Sequence, residues 1–335
     1  MQSESPVTYN DIVQAAERLR SKVSHTPLLE SAQLNAWMGH RILFKTECLQ
    51  RTGAFKLRGA TNFLTRMLEL DNLPARVVAN SSGNHAQAVA YAASQLKIPA
   101  TIYSTETISA VKAAATQHYG ADVKLYPTRP EADRAVAEAA QTPGTVWIPP
   151  FNHPDIIAGQ GTAALEALQD AGSADAIFAP CGGGGLLSGT LIATRGLMPD
   201  CKIIGAEPQQ ANDASMSLQS GTIETLNGPP DTLADGAATP SVGDVTFPFL
   251  QGLDDFYEVD EVQIAYWTQW LQHLLKLHVE PTSAMSMAAV TSWALEATPG
   301  STAIVILSGG NISQSSMAKI WQTDYLLQPP ILVQE

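Results

Sequence analysis

Positive charge is in short supply. The chain sets 19 lysines and arginines against 32 aspartates and glutamates, a net charge of -13 over 335 residues. It has no basic cluster along which phosphates could be neutralised, so nucleic acid is not an expected partner. Cysteine is scarcer still. Cys48, Cys181 and Cys201 are the only three, in no metal-ligand spacing and too few for a disulfide framework, which points to a reducing cytoplasm. No apolar run approaches the roughly eighteen residues that cross a bilayer, and Met-Gln-Ser-Glu-Ser-Pro is not a signal segment, so neither membrane nor secretion is expected. Fixed-period repeats, low-complexity tracts and long linkers are also missing. What is plentiful is apolar sequence: 45% hydrophobic and 15% charged residues suffice for a large core, most naturally in two lobes.

Short apolar runs recur with helical segments between them: 41–45, 77–79, 100–103, 123–126, 145–148, 176–179, 202–206 and 302–307. Strands alternating with helices predict an α/β fold of two open, mostly parallel twisted sheets covered on both faces by helices. Thr8 with Asp11, followed by Ile12, Ala15, Ala16 and Leu19, predicts a capped amphipathic helix. Pro149, Pro150 and Pro154 suit a crossing between lobes.

Four stretches carry chemistry. Lys56 stands between Phe55 and Leu57, after a Thr-Gly break and at the start of a helical pattern. Partial burial there disfavours the ammonium form and suits a nucleophile or Schiff-base partner, although a lysine snorkelling to water fits the stretch alone as well. The turn Ser81-Ser82-Gly83-Asn84-His85 joins a strand to a helix; it can seat a carboxylate, or simply cap the helix. Gly182, Gly183, Gly184 and Gly185 also follow a strand and open a helix. Their N–H groups can converge on a phosphate without a lysine, and the spacing is not that of a dinucleotide fingerprint. Ser308 places a small hydroxyl at the carboxyl end of the last strand, where open α/β sheets bind ligands. A fifth stretch, Glu207 and Asp213 in an irregular segment, reads as a solvated acidic turn or as oxygen ligands for a hard cation.

A nucleophilic lysine, an anion cradle, a polar turn and a terminal hydroxyl suit a cofactor carrying an aldehyde, a phosphate and a ring, as pyridoxal 5'-phosphate does. The ordered motifs are Gly53-Ala-Phe-Lys-Leu-Arg-Gly, Ser81-Ser-Gly-Asn-His, Ala158-Gly-Gln-Gly-Thr, Cys181-Gly-Gly-Gly-Gly, Glu280-Pro-Thr and Leu307-Ser-Gly-Gly-Asn. In these, over nearly its whole length, the chain resembles the tryptophan-synthase-β-like (fold type II) pyridoxal-phosphate enzymes, within them the serine/threonine dehydratase and serine racemase family.

The resemblance implies roles. Lys56 would carry the cofactor as a Schiff base and then act as the base at Cα. Phe55 would lie against the pyridine ring, and Asn84 would bond its 3'-oxygen. Gly182 to Gly185 with Leu186 would hold the phosphate. Ser308 would meet the ring nitrogen, and a neutral hydroxyl there should leave that nitrogen largely unprotonated and so favour elimination over transamination. Ser81, Ser82, Gly83, Asn84 and His85 would seat the substrate carboxylate, with Ser82 facing Cα opposite the lysine, as in the racemases. Glu207, the carbonyl of Ala211 and Asp213 match a divalent-cation site, with Mg²⁺ the first choice before Ca²⁺ or Mn²⁺.

The implied organisation is a large cofactor-binding domain of residues 1–50 and 151–335, a small mobile domain of 76–150, and 51–75 carrying Lys56 between them, in a homodimer. The implied reaction is loss of water from a 3-hydroxy amino acid to give a 2-oxo acid and ammonia; the alternative is racemisation of serine or aspartate by Lys56 and Ser82. Departures bear on the substrate: Ala86 replaces a usual glycine, Ser283-Ala284 a usual Ala-Gly, and 104–112 lack a usual proline pattern. A substrate other than plain serine or threonine fits these departures, such as hydroxyaspartate or phenylserine. No regulatory domain follows the last motif, so feedback by isoleucine is not expected.

Overall fold

Ten strands divide between two sheets in the computed structural model, which describes residues 7–81 and 83–332. The larger has the order β1-β2-β10-β7-β8-β9, and the smaller β5-β4-β3-β6. The strands are β1 (Leu28–Glu30), β2 (Arg41–Thr46), β3 (Arg76–Asn80), β4 (Ala100–Thr105), β5 (Asp122–Tyr126), β6 (Thr145–Trp147), β7 (Ala176–Pro180), β8 (Lys202–Pro208), β9 (Asp255–Val259) and β10 (Thr302–Leu307). All pairings are parallel except β1 with β2. The fold is therefore the α/β arrangement expected, with two additions, the edge strands β1 and β9.

Strand alternation divides the large core. Along β10, Val305 and Leu307 face a layer containing Phe178, Trp267 and Trp293, while Ile304 and Ile306 face one containing Ile157, Leu187 and Ile192. Both faces are dry, which is why β10 reads as an unbroken apolar run. Each fully buried Ile or Val contributes about 1.5–3 kcal/mol. In the small sheet Val77 and Ala79 pack against the helix Asn84–Gln95, and Val78 packs toward Ala132 and Val136.

Glycines let three helices meet behind the site. A Cβ on Gly159 would lie 2.7 Å from the Arg58 carbonyl oxygen, and one on Gly161 would lie 2.8 Å from that of Gly189. Backbones this close admit no side chain, so the helices Lys56–Glu69, Pro154–Ala171 and Gly185–Leu197 form one block. The Gln160 side chain accepts a 3.2 Å hydrogen bond from the Gly59 N–H within it. This is the physical content of the Ala-Gly-Gln-Gly-Thr motif, and it fixes the helix that starts at Lys56. The expected amphipathic helix is Tyr9–Leu19, and Thr8 and Asp11 close a capping box at its start.

Candidate active site

Lys56 is the first residue of its helix, and its approach is stitched to the end of β10. The Phe55 N–H donates to the Ser308 carbonyl at 2.9 Å, and the Gly310 N–H donates to the Gly53 carbonyl at 2.9 Å. Gly53 has φ +72, and a Cβ there would meet Asn311 Oδ1 at 2.5 Å, so the Thr-Gly break is required by the turn and by the close approach together. These contacts bring Phe55, Lys56 and Ser308 to one place although the sequence holds them far apart.

The Lys56 ammonium donates to the Pro150 carbonyl at 2.6 Å and lies 5.1 Å from the Phe55 ring centroid and 6.0 Å from that of Phe151. Among the described residues no carboxylate is within ion-pair distance of it. Burial lowers its pKa to about 8, against the pull of the more distant Glu280. Relative to an ordinary lysine the free amine at neutral pH is enriched by roughly two to three orders of magnitude. Lys56 is thus a poised nucleophile rather than a snorkelling surface charge.

Phe151 links the lysine to the glycine loop. A Cβ on Gly183 would lie 2.3 Å from the Phe151 ring, and one on Gly185 would lie 2.9 Å from Phe151 Cβ. Gly184 has φ +88 and is the N-cap of the helix Gly185–Leu197, with no side chain to cap it; Leu186 is buried in that first turn. An uncapped N-terminus carries partial positive charge and suits a phosphate.

On the other side Asn84 opens its helix, and its Nδ2 donates to the two carboxylate oxygens of Glu280 at 2.9 and 3.1 Å. Its Oδ1 accepts from Asn311 Nδ2 at 2.8 Å, and Asn311 Nδ2 also donates to the Thr52 carbonyl at 2.8 Å. A carbonyl can only accept, so this chain of bonds fixes which way both amides face. Glu280 is almost wholly buried, and burial, then the charge of Asp235, pushes its pKa up to about 7. Local spacing places Glu280 in a motif but gives it no task; an acidic residue followed by proline and small residues is the available signal. Phe151 was missed outright.

In the turn before the Asn84 helix, the Gly83 N–H donates to Ser81 Oγ at 3.2 Å. His85 is buried, and its Nε2 is 2.9 Å from the Ile148 carbonyl, so Nε2 carries the hydrogen. Burial, then the Lys56 charge, brings its pKa down to about 3, and the ring is neutral. Ser82 lies outside the described residues.

The charge of Asp213 reaches Glu207, and both carboxylates reach Cys181 at the root of the glycine loop. Glu207 is in β8 and not in an irregular segment, because the strand runs on to Pro208. Its carboxylate accepts from the Ala214 and Ser215 N–H groups at 3.2 and 2.6 Å and so caps the helix Asp213–Ser220. Burial pushes Glu207 up to about 9 and Asp213 up to about 7. Asp213 Oδ2 is buried with no hydrogen-bond partner among the described residues, where no group of three or more His, Cys, Asp and Glu is arranged to hold a metal ion. No helix among them is long and apolar enough to cross a membrane.

A lysine with a lowered pKa, an uncapped helix N-terminus lined by glycine and a buried hydroxyl at a strand end fit an aldehyde-bearing, phosphorylated ring. They define the class of α/β enzyme that holds pyridoxal phosphate on a lysine. Residues 19–309 match the family described as Pyridoxal-phosphate dependent enzyme. The chain is 42% identical over 315 residues to L-threo-3-hydroxyaspartate ammonia-lyase from Saccharomyces cerevisiae, covering 93% of this chain and 96% of that one. It is 38% identical over 307 residues to serine racemase from Schizosaccharomyces pombe, covering 91% and 94%. It superposes on the crystal structure of a T.th. threonine deaminase with TM-score 0.86 at 38% identity, covering 91% and 99%. The chain belongs to the pyridoxal-phosphate-dependent enzyme family, with the fold of its type II members.

Proposed function

We propose that the protein is an ammonia-lyase that removes water from an acidic 3-hydroxy amino acid of the 3-hydroxyaspartate class, releasing a 2-oxo acid and ammonia. The observation that carries this reading is the poised Lys56 nitrogen, whose charge reaches His85, in a chain 42% identical to a hydroxyaspartate ammonia-lyase. The bound cofactor supplies the electron sink that makes the Cα proton labile. Lys56 Nζ would hold the cofactor and, once the substrate amine has displaced it, the freed amine would take that proton. The C3–O bond then breaks as the hydroxyl takes a proton back from Lys56 Nζ and leaves as water, and the enamine product takes up one water in hydrolysing to 2-oxo acid and ammonia. Gly182 to Gly185 and Leu186 hold the phosphate by backbone N–H groups, Phe55 flanks the ring, Asn84 donates toward the 3'-oxygen, and Ser308 meets the ring nitrogen. Asn84 Nδ2 has two hydrogens, so with one shared between the two Glu280 oxygens the other can serve that oxygen.

The substrate's α-carboxylate sits on the turn from Ser81 to His85. For its side-chain carboxylate the reading selects Arg129, whose charge reaches the His85 ring. Arg129 Nε donates to Asp133 Oδ1 at 2.7 Å, and Asp133 is also bound at 2.6 Å by Asn80, the residue before the turn. A substrate carboxylate would take up guanidinium hydrogens that Asp133 leaves free.

The lobe of residues 76–150 closes on that of 1–50 and 151–335 in this reading, with Lys112 and Asp235 paired across the cleft at 2.7 Å. A Mg²⁺ ion takes Glu207, the Ala211 carbonyl and Asp213, supported by the unpartnered Asp213 oxygen. The three cysteines are free, which suits a reducing cytoplasm, and the homodimer rests on resemblance. Racemisation by Lys56 and Ser82 is the second reading, favoured by the similarity to serine racemase.

The test is incubation of holoenzyme with L-threo-3-hydroxyaspartate, serine and threonine, following ammonia, 2-oxo acid and the chirality of recovered substrate. Preferential 2-oxo acid formation from the acidic substrate is expected. Inversion without 2-oxo acid would establish the racemase instead. Chelation that leaves both activity and melting temperature unchanged would remove the magnesium ion.

A further inference from the structure

We infer that Ser283 decides which way the Ser308 hydroxyl proton points, and is thereby a positioning residue that favours a protonated ring nitrogen in the bound cofactor. The inference rests on Ser308 meeting that nitrogen, as proposed above, and reverses the sequence-based expectation of an unprotonated ring.

Both serines are buried, at 0% and 1% exposure. Ser283 Oγ lies 2.9 Å from Ser308 Oγ, 2.8 Å from the Gly309 carbonyl oxygen and 2.7 Å from the Gly309 nitrogen. An N–H can only donate and a carbonyl can only accept, so Ser283 receives the Gly309 hydrogen, and the arrangement that keeps all three of its contacts bonded gives its single proton to the Gly309 oxygen. In that arrangement its remaining lone pair accepts the Ser308 proton. Ser308 therefore aims its hydrogen at Ser283 and offers lone pairs to whatever else it meets.

A ring nitrogen placed against those lone pairs is hydrogen-bonded only if it brings its own proton. To donate to a bare nitrogen Ser308 must turn away, which leaves two buried oxygens in contact with no hydrogen between them unless Ser283 redirects its own proton. One buried hydrogen bond at stake corresponds to about a two- to tenfold shift in the protonation equilibrium of the nitrogen. The competing arrangement is a relay in which Ser283 donates to Ser308 and Ser308 to the nitrogen. It gives up the bond to the Gly309 oxygen, which keeps only the Glu280 N–H at 3.1 Å. The two arrangements predict opposite signs. A protonated ring pulls electrons from Cα more strongly, so protons return to Cα more often for each elimination.

Holoenzyme reconstituted with pyridoxal phosphate carrying ¹⁵N in the ring reports this protonation through its chemical shift. Ser283→Ala is expected to move the ring about two- to tenfold toward the unprotonated form. It should lower solvent deuterium in recovered substrate relative to 2-oxo acid, and Ser283→Thr should restore both. No movement, or movement toward the protonated form, would overturn the inference. If Ser283→Ala does not fold, a fully unprotonated ring in the unmodified protein overturns it alone. Ser308→Ala separates the two claims: if it shifts the signal and Ser283→Ala does not, Ser308 keeps its place and only the role of Ser283 falls. If Ser308→Ala changes nothing, Ser308 is not at the nitrogen and both fail.

Discussion

Lys56 and Arg58 are two residues apart on one helix, both cations taken out of water, and the protein treats them oppositely. Around Arg58 the fold supplies carboxylates. Its Nε and Nη2 each donate to Glu47 at 2.8 Å, and its Nη1 and Nη2 donate to Glu166 at 2.8 and 2.7 Å. Lys45 adds a further 2.7 Å contact to Glu166, and Thr26 one of 2.6 Å to Glu47. Burial alone would lower the Arg58 pKa, but Glu47 and Glu166 more than reverse it and raise it above the ordinary range. Around Lys56 the fold supplies a carbonyl and two aromatic rings, and its pKa falls. Desolvation is common to both; the partner decides whether a buried cation becomes an anchor or a reagent.

The contrast can be broken from either side. Lys56→Ala should cost at least roughly a thousandfold in elimination rate and abolish visible absorbance of the reconstituted protein, while the apoprotein keeps its melting temperature. Arg58→Ala should do the reverse first. It leaves Glu47 buried without a cation and Glu166 with Lys45 alone, and should destabilise the apoprotein by about 3–5 kcal/mol in chemical denaturation, before any reading of activity. An Arg58→Ala apoprotein as stable as the unmodified one would show that the carboxylates are hydrated and the anchor is illusory.

A third experiment sharpens the Lys56 half. Capture of pyridoxal phosphate by the apoprotein needs the free amine, and a lowered pKa brings that form in at lower pH. The second-order capture rate should rise about tenfold per unit from pH 6 and level off above about 8. A rise continuing to about 10.5, the ordinary lysine value, would return Lys56 to the class of solvated cations. The smallest effect concerns Arg129, a half-exposed cation held by one carboxylate. Arg129→Ala should raise KM for 3-hydroxyaspartate about tenfold with a smaller change in kcat, and leave serine unaffected. Equal effects on both substrates would show that Arg129 only braces the turn through Asp133.

Much of this was legible in the sequence. The central strands announce themselves because burial on both faces demands unbroken Val, Ile, Leu and Ala, and the glycine run and Lys56 stand out against any helical background. The edge strands were not legible. Leu28–Glu30 is only three residues long, and Asp255–Val259 mixes two acids and two aromatics on a half-exposed edge. Neither has the pattern of a buried strand. The partners of the site residues were hidden for a different reason. That Asn84 faces Glu280, that Phe151 lies on Gly183, and that Ser283 touches Ser308 are matters of long-range register, which no local spacing encodes.

The lacing of Gly53 and Phe55 to the far end of β10 orders events during synthesis. The lysine leaves the ribosome long before Ser308 and Gly310, the residues whose backbone groups hold its loop. Until then the nucleophile has no floor beneath it. A chain cut short before that point loses one wall of the pocket outright, so truncated products should be empty rather than weakly loaded.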